Sequence, residues 1–354
     1  MRKNAEKRAG RIIGRIAAVI GVTLLMLLIA FYGVILILTR GPSPTAKKLF
    51  VMSVKETSAG GFLADICLPR SEIERIMNEK ANAAEKLQDS VMDKDLISVG
   101  TTAPEIPEDP DTADKPDGGH PQEVPQSGIE ITEVKRGTFN GVMMTVHDPR
   151  RVFIGVPDAY GKDCAGLSLK ALIEKYGAVG GTNAGGFIDP GGMGTGGMPL
   201  GPVIKDGEVI WGDQSAQYSM IGFDADGILH VGTMSCRAAI AAGVREAVSF
   251  GPALIINGVP CNAGGSLSGG INPRTAIGQR ADGAVLMLVV NGRSIGSLGA
   301  TLDDLIDVMT SFGAVNAANL DGGASSLMMY GGETMNNSAY VYGERVLPNA
   351  ILVK

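Results

Sequence analysis

Residues 202–211 read PVIKDGEVIW. Apolar and β-branched residues flank Asp206-Gly207, and a two-residue type I′ turn needs φ > 0 at both central positions, which Asp-Gly accepts. The stretch is a β-hairpin by its local chemistry. The same punctuation recurs at Asp226-Gly227, Asn257-Gly258, Asp282-Gly283 and Asn291-Gly292, and each is read as a hairpin turn. Residues 284–291, AVLMLVVN, suit a buried strand. Helices are fewer. Thr301 begins one that turns Leu302, Leu305, Ile306 and Met309 inward and stops at Gly313. Residues 168–176 form a second, closed by Gly177, and residues 238–248 a third. Strands dominate, and no regular βαβ alternation appears. The expected fold is an α+β domain over residues 127–354, a mixed, largely antiparallel sheet with a few packed helices.

Upstream the organisation changes. Residues 16–39 carry no charge, and a helix of that length crosses the roughly 30 Å hydrocarbon core of a bilayer. Arg2, Lys3, Lys7, Arg8, Arg11 and Arg15 precede this stretch, whereas only Arg40, Lys47 and Lys48 follow closely. That bias places residues 1–15 in the cytoplasm as a basic tail and the domain outside the cell membrane. The stretch reads as a single-pass transmembrane signal-anchor, with a cleaved signal peptide as the alternative. In the juxtamembrane helical segment, residues 40–90, Ser71 and Glu74 have capping-box spacing, and Ile73, Ile76 and Met77 share one helical face. Residues 71–86 are thereby a stalk or a surface for an envelope protein. Residues 91–126 alternate Pro104, Pro107, Pro110, Pro116, Pro121 and Pro125 with acidic residues. Such a linker buries too little apolar surface to fold and is expected to act as an extended, disordered tether.

Composition bounds the function. The 354 residues are 45% hydrophobic and 19% charged, which excludes disorder throughout. A net charge of −6 argues against a partner held by phosphate neutralisation, so no nucleic acid is expected. Cys67, Cys164, Cys236 and Cys261 include no CxxC pair, which argues against zinc, and leave a disulfide and buried free thiols as alternatives. No P-loop, HExxH or GxSxG motif is present. No cofactor is expected; Asp189 and Asp321 are carboxylates open to a divalent cation, although no ligand spacing marks a metal site.

Four places concentrate chemistry. Residues 180–187, GGTNAGGF, put Asn183 among glycines whose bare backbone can approach a ligand, Gly185, Gly186 and Phe187 included. Residues 272–278, NPRTAIG, place Arg274 and Thr275 in a strand-like run, and a guanidinium fork suits phosphate or carboxylate. Residues 319–326, NLDGGASS, end a short apolar strand at Asp321, and the small residues Gly322, Gly323 and Ser325 leave room beside its carboxylate. Glu344 and Arg345 precede the last strand.

These segments, with the NGR turn at residues 291–293 and the terminal ER-x-x-x-NAI-x-V pattern, together resemble the phosphodiester glycosidase family. The resemblance covers residues 128–354, and the anchor looks like the bacterial branch, which includes proteins tied to exopolysaccharide biosynthesis. It implies cleavage of a sugar-1-phosphodiester. By motif, the site implied holds Asn183, Gly185, Gly186, Arg274, Asp321, Gly322, Gly323, Glu344 and Arg345. The family often has Asp-Gly-Arg where this chain has Asn291-Gly292-Arg293, and Asn291 is left out of the site as a turn change. The chemistry agrees with the residues. Breaking C1–O expels a phosphate monoester whose second pKa is about 6, so a strong general acid matters less than in ordinary glycosidases. The reaction needs a carboxylate at the anomeric carbon or its attacking water, and cations for the phosphate. Asp321 is the expected carboxylate and Glu344 the second, with Arg274 as the catalytic cation. Asn183, Gly185, Gly186, Phe187, Thr275, Gly322, Gly323, Ser325 and Arg345 are expected to bind substrate. The expected function is an extracytoplasmic, membrane-anchored glycosidase of a cell-surface glycopolymer or exopolysaccharide. The alternatives are a non-catalytic polysaccharide-binding or assembly protein and an envelope scaffold.

Overall fold

The computed structural model describes residues 2–57, 61–85, 92–100, 127–262, 269–339 and 345–354. Residues 101–126 of the linker expected over residues 91–126, and Glu344, lie outside them. The chain is a mixed α+β protein with antiparallel sheets and few helices.

A seven-stranded sheet organises the domain. Its strands run in the order Ile129–Arg136, Phe139–Val146, Val285–Val290, Arg274–Arg280, Ala314–Leu320, Ala253–Ile256 and Val259–Pro260, all antiparallel. Every residue of Val285–Val290 is buried, because the strand has a partner on each side and packed layers on both faces. The helix Leu302–Ser311 packs into the same core. A reciprocal cap sets its start: the Asp304 N–H donates to the Thr301 hydroxyl, and the Thr301 N–H donates to the Asp304 carboxylate.

The hairpin at residues 202–211 belongs to a second, five-stranded sheet, with Asp206 at φ 54° and Gly207 at φ 82°. Asn257-Gly258 turns the same way (55° and 75°), joining Ala253–Ile256 to Val259–Pro260. At Asp226-Gly227 and Asp282-Gly283 only the glycine has positive φ. Asn291-Gly292 departs from expectation and is not a hairpin turn. Asn291 is buried, donates to Asn140 Oδ1 and accepts from the Asn337 N–H, while the positive φ passes to Arg293. The helix expected over residues 238–248 is also corrected. It spans Cys236–Ala241 and stops at Gly243, whose φ is 95°, and Val244–Ser249 is the middle strand of the second sheet. Its partners on both sides override the helical propensity of the alanine run.

A third sheet pairs Met328–Tyr330 and Ala350–Val353 on either side of Gly180–Asn183. All four cysteines are free thiols.

The N-terminal helix Arg2–Arg40 contains one stretch, Ile13–Arg40, long and apolar enough to cross a membrane. Three further helices follow: Pro44–Lys55, Phe62–Cys67 and Arg70–Glu85. Ser43 and Pro44 start the first, with the Ser43 hydroxyl accepting the Ala46 N–H. Val51, Met52, Ala64, Leu68, Ile73 and Ile76 bury one another in a small separate core. Ile73 and Ile76, the face that sequence offers to a stalk or partner, are thus covered by the chain's own neighbours. The last turns of the N-terminal helix join this unit, since Ile35 and Thr39 are buried. Residues 93–99, read from the sequence as the start of the disordered linker, instead lie against the domain: the Ser98 N–H donates to Ala281 O (2.7 Å) and the Asp93 N–H to Asn257 Oδ1 (2.8 Å).

Candidate functional site

Arg274 opens one central strand and Leu320 closes its neighbour, and Thr275 faces Leu320 in the antiparallel register. Arg274 and Asp321 therefore emerge at the same sheet edge although 47 positions separate them. The third sheet is tied to that edge through Asn183. Its Nδ2 donates to Asp321 O (2.6 Å), and its Oδ1 accepts from Thr275 Oγ1 (2.9 Å) and the Leu327 N–H (3.2 Å). The Asp321 N–H donates to Ala184 O. Arg345 enters just before Val346–Leu347, a short strand that leads into Ala350–Val353.

These elements enclose a cavity of about 730 Å³, the size of a small-molecule site. Of the expected residues, Asp321, Arg274, Arg345, Gly186, Phe187, Gly322, Gly323 and Ser325 line it. Asn183, Gly185 and Thr275 do not. Asn183 and Thr275 are wholly buried behind the wall and hold Asp321's backbone, and the Gly185 N–H donates to Asn349 Oδ1. The glycines, too, serve packing. A Cβ on Gly322 would sit 2.9 Å from Pro273 O, and one on Gly186 would sit 2.7 Å from the Phe250 ring. The room expected beside Asp321 is in part filled by backbone.

Asp321 opens onto the cavity deep within the domain, and desolvation pushes its pKa up to about 6. The Ser325 hydroxyl, the Arg345 charge and the Gly322 N–H oppose that rise, whereas the Asp189 charge adds to it. Arg345 is buried, donates to Asp189 Oδ2 and Gly192 O, and stacks its guanidinium 4.7 Å from the centre of the Phe187 ring. Such pairing and stacking fix the plane of the group. Arg274 donates to Ala300 O and, at 2.9 Å, to Glu56 Oε2.

Three of the lining residues that sequence did not assign bear on the chemistry. Arg293 donates to Asn272 Oδ1 (3.2 Å), and burial and then the nearby Arg274 charge hold its pKa below the usual arginine value. It lies over Gly323, where a Cβ would meet its guanidinium at 3.3 Å. Its signal was present in the NGR triplet. Asn319 donates to Gly251 O, and its buried Oδ1 has no partner among the described residues. An acceptor of that kind suits a hydroxyl or amide N–H of a ligand. Glu56 arrives from the N-terminal helical unit and also accepts from Asn272 Nδ2 (2.9 Å); nothing in its local sequence marked it. Among the described residues no group of three or more His, Cys, Asp or Glu is arranged to hold a metal ion. The arrangement can bind an anion between guanidiniums and present a high-pKa carboxylate to it.

A family model described as phosphodiester glycosidase matches residues 176–354. The SPbeta prophage-derived uncharacterized protein YomE of Bacillus subtilis (strain 168) is 35% identical over 160 residues, 42% of this chain and 25% of that protein. This chain thus spans about a quarter of that relative's length. Among solved structures, the zebrafish N-acetylglucosamine-1-phosphodiester alpha-N-acetylglucosaminidase catalytic domain, auto-inhibited by its pro-peptide, is similar with a TM-score of 0.51 and 20% identity, over 64% of this chain and 81% of that one. This likeness is one of fold.

Proposed function

The chain belongs to the phosphodiester glycosidase family, and from that premise we propose that it hydrolyses a sugar-1-phosphodiester on a cell-surface glycopolymer, as a membrane-anchored enzyme facing outward. The observation that carries this reading is one cavity bearing three guanidiniums, Arg274, Arg293 and Arg345, beside a single carboxylate of raised pKa, Asp321. The arginines take the phosphodiester charge and the charge that grows on the departing phosphate. Asp321, ionised above pH 6, acts at the anomeric carbon or on its attacking water. Water's oxygen joins C1 as the C1–O bond breaks, and the products are a free sugar and a phosphate monoester. Asn319 Oδ1 receives a donor from the sugar, and Phe187 and Phe250 offer apolar surface to its ring.

The experiment is turnover of an N-acetylglucosamine-1-phosphodiester by the full chain, read as free reducing sugar. The expected result is release by the wild type and losses of about 10²–10³-fold in Asp321→Ala and Arg274→Ala, the scale of deleting a charge-stabilising group. Full activity in both folded variants removes these roles. Tight glycan binding without turnover in the wild type replaces the enzyme with a polysaccharide-binding protein.

A further inference from the structure

The cavity carries three guanidiniums and three carboxylates inside, two of the arginines being paired within it, and exposes apolar side chains on two of its loops. The loop that carries Phe187 and Asp189 exposes Ile188, Met193 and Leu200. The loop after Arg293 turns back on itself through hydrogen bonds between Ser294 and Ser297, and this lifts Ile295 wholly into solvent and leaves Leu298 half exposed. Both loops contribute walls, through Phe187, Asp189 and Arg293. Scattered exposed aliphatic side chains need no explanation, but five on two loops around one charged cavity form a surface that water does not favour.

A second observation concerns reach. The helical unit that continues the membrane-crossing stretch docks on the cavity itself. The Ile271 N–H donates to Ser53 Oγ (2.8 Å), a Cβ on Gly270 would overlap Ser53, and Glu56 bonds Arg274 and Asn272. From Arg40 the path to Glu56 is a short connection and the twelve-residue helix Pro44–Lys55, about 35 Å at most. A free tether over residues 91–126 would reach roughly 120 Å when extended. Docking therefore overrides the tether and holds the cavity near the bilayer.

We propose that the cavity takes its substrate from the membrane: a sugar-1-phosphodiester of a lipid alcohol. The sugar and phosphate enter the cavity, and the hydrocarbon chain lies along the rim formed by Ile188, Met193, Leu200, Ile295 and Leu298, which rests on the bilayer surface. This rests on the anchored glycosidase reading above and puts a lipid-linked sugar in place of the glycopolymer as the substrate. Water adds at C1, the C1–O bond breaks, and the lipid remains in the bilayer as a phosphate monoester.

The test uses the full chain in vesicles of phosphatidylcholine and phosphatidylglycerol. Two probes share one headgroup: octadecyl N-acetylglucosamine-1-phosphodiester in the same vesicles and the methyl diester in solution. Confinement to one surface is expected to raise kcat/KM for the octadecyl probe by at least about ten-fold. Ile295→Asp with Leu298→Asp, neither of which lines the cavity, is expected to abolish that advantage and to leave methyl-diester turnover within about two-fold, the small effect usual for surface substitutions. Equal kcat/KM for the two probes, or an octadecyl advantage that survives the double substitution, overturns the proposal. Hydrolysis of neither probe counts against the glycosidase reading instead. The rim is then judged by a fluorophore placed at Ile295. Quenching by lipids brominated in their acyl chains supports membrane contact, and no quenching overturns it.

Discussion

The cavity has a strand-borne half and a loop-borne half, held by different means. Arg274, Asn319 and Asp321 stand at the ends of paired strands, with Asn183 and Thr275 buried behind them. Arg293, Asp189 and Glu56 stand on loops or a helix end, and their positions depend on side-chain bonds such as Arg293 to Asn272 and Arg274 to Glu56. The first half shares its stability with the sheet core. The second rests on side-chain bonds, and changes there are expected to leave the fold undisturbed. The lesson is that charge in this site is placed by two independent scaffolds, so substitutions in one half should couple stability to activity and those in the other should not.

The sharpest break in that contrast is expected at Asn183→Ala. It removes the donor to Asp321 O and leaves the Thr275 hydroxyl and the Leu327 N–H without their shared acceptor. Leaving buried polar groups unpaired costs about 1–3 kcal/mol each, so a loss of roughly 3 kcal/mol or more in urea unfolding is expected. Turnover should fall with it. Loss of activity at unchanged stability would mean that Asn183 contacts substrate and that the two halves are not distinct.

Asp321 gives the next largest effect. Its native pKa is raised from 3.8 to about 6. Below about pH 3 both folded and unfolded carboxyls are protonated and the group costs nothing. As pH rises from about 3 to 6 the unfolded chain ionises first, so native stability falls, by up to about 3 kcal/mol above pH 6. Asp321→Asn should therefore be no more stable than wild type at about pH 3 and increasingly more stable towards pH 7, by unfolding midpoints across that range. Wild-type kcat/KM should rise towards a plateau above about pH 6. A variant advantage that shrinks as pH rises would reverse the assigned sign.

How much of this was legible follows the same division. The hairpin at residues 202–211 and the cap at Thr301 are local chemistry, and both formed as read. Arg274 and Asp321 stood out because each flanks an apolar strand. The error over residues 238–248 came from Val244–Ser249, where pairing on both sides decides the structure. Asn183 was placed against substrate because a sequence shows a polar residue among glycines but not which side of a wall it faces. Arg293 was hidden in a triplet read as a turn, and its position depends on Asn291 being buried against Asn140 and Asn337. Glu56 could not be read at all, since its partner Arg274 is 218 positions away.

On the loop-borne side, Arg293→Lys is expected to reduce kcat/KM by about 10–100-fold without moving the unfolding midpoint, because an ammonium keeps the charge and loses the planar fork. A parallel drop in stability would show that this arginine belongs to the scaffold that carries the sheet.

Glu56→Gln should have the smallest effect and the most diagnostic sign. The carboxylate neutralises Arg274 from a helical unit outside the sheet, and the pair is nearly dry, with side chains 9% and 15% exposed. Glutamine keeps an acceptor for Asn272 and Arg274 but removes the charge, so Arg274 gains affinity for any other anion. Inorganic phosphate, titrated by calorimetry against the full chain, should bind a few-fold more tightly in the variant, about 1 kcal/mol for a change of that size. Unchanged or weaker binding would mean that phosphate does not share Arg274 with Glu56. The helical unit would then be a wall beside the anion site, and phosphate would be held by Arg293 and Arg345 rather than by Arg274.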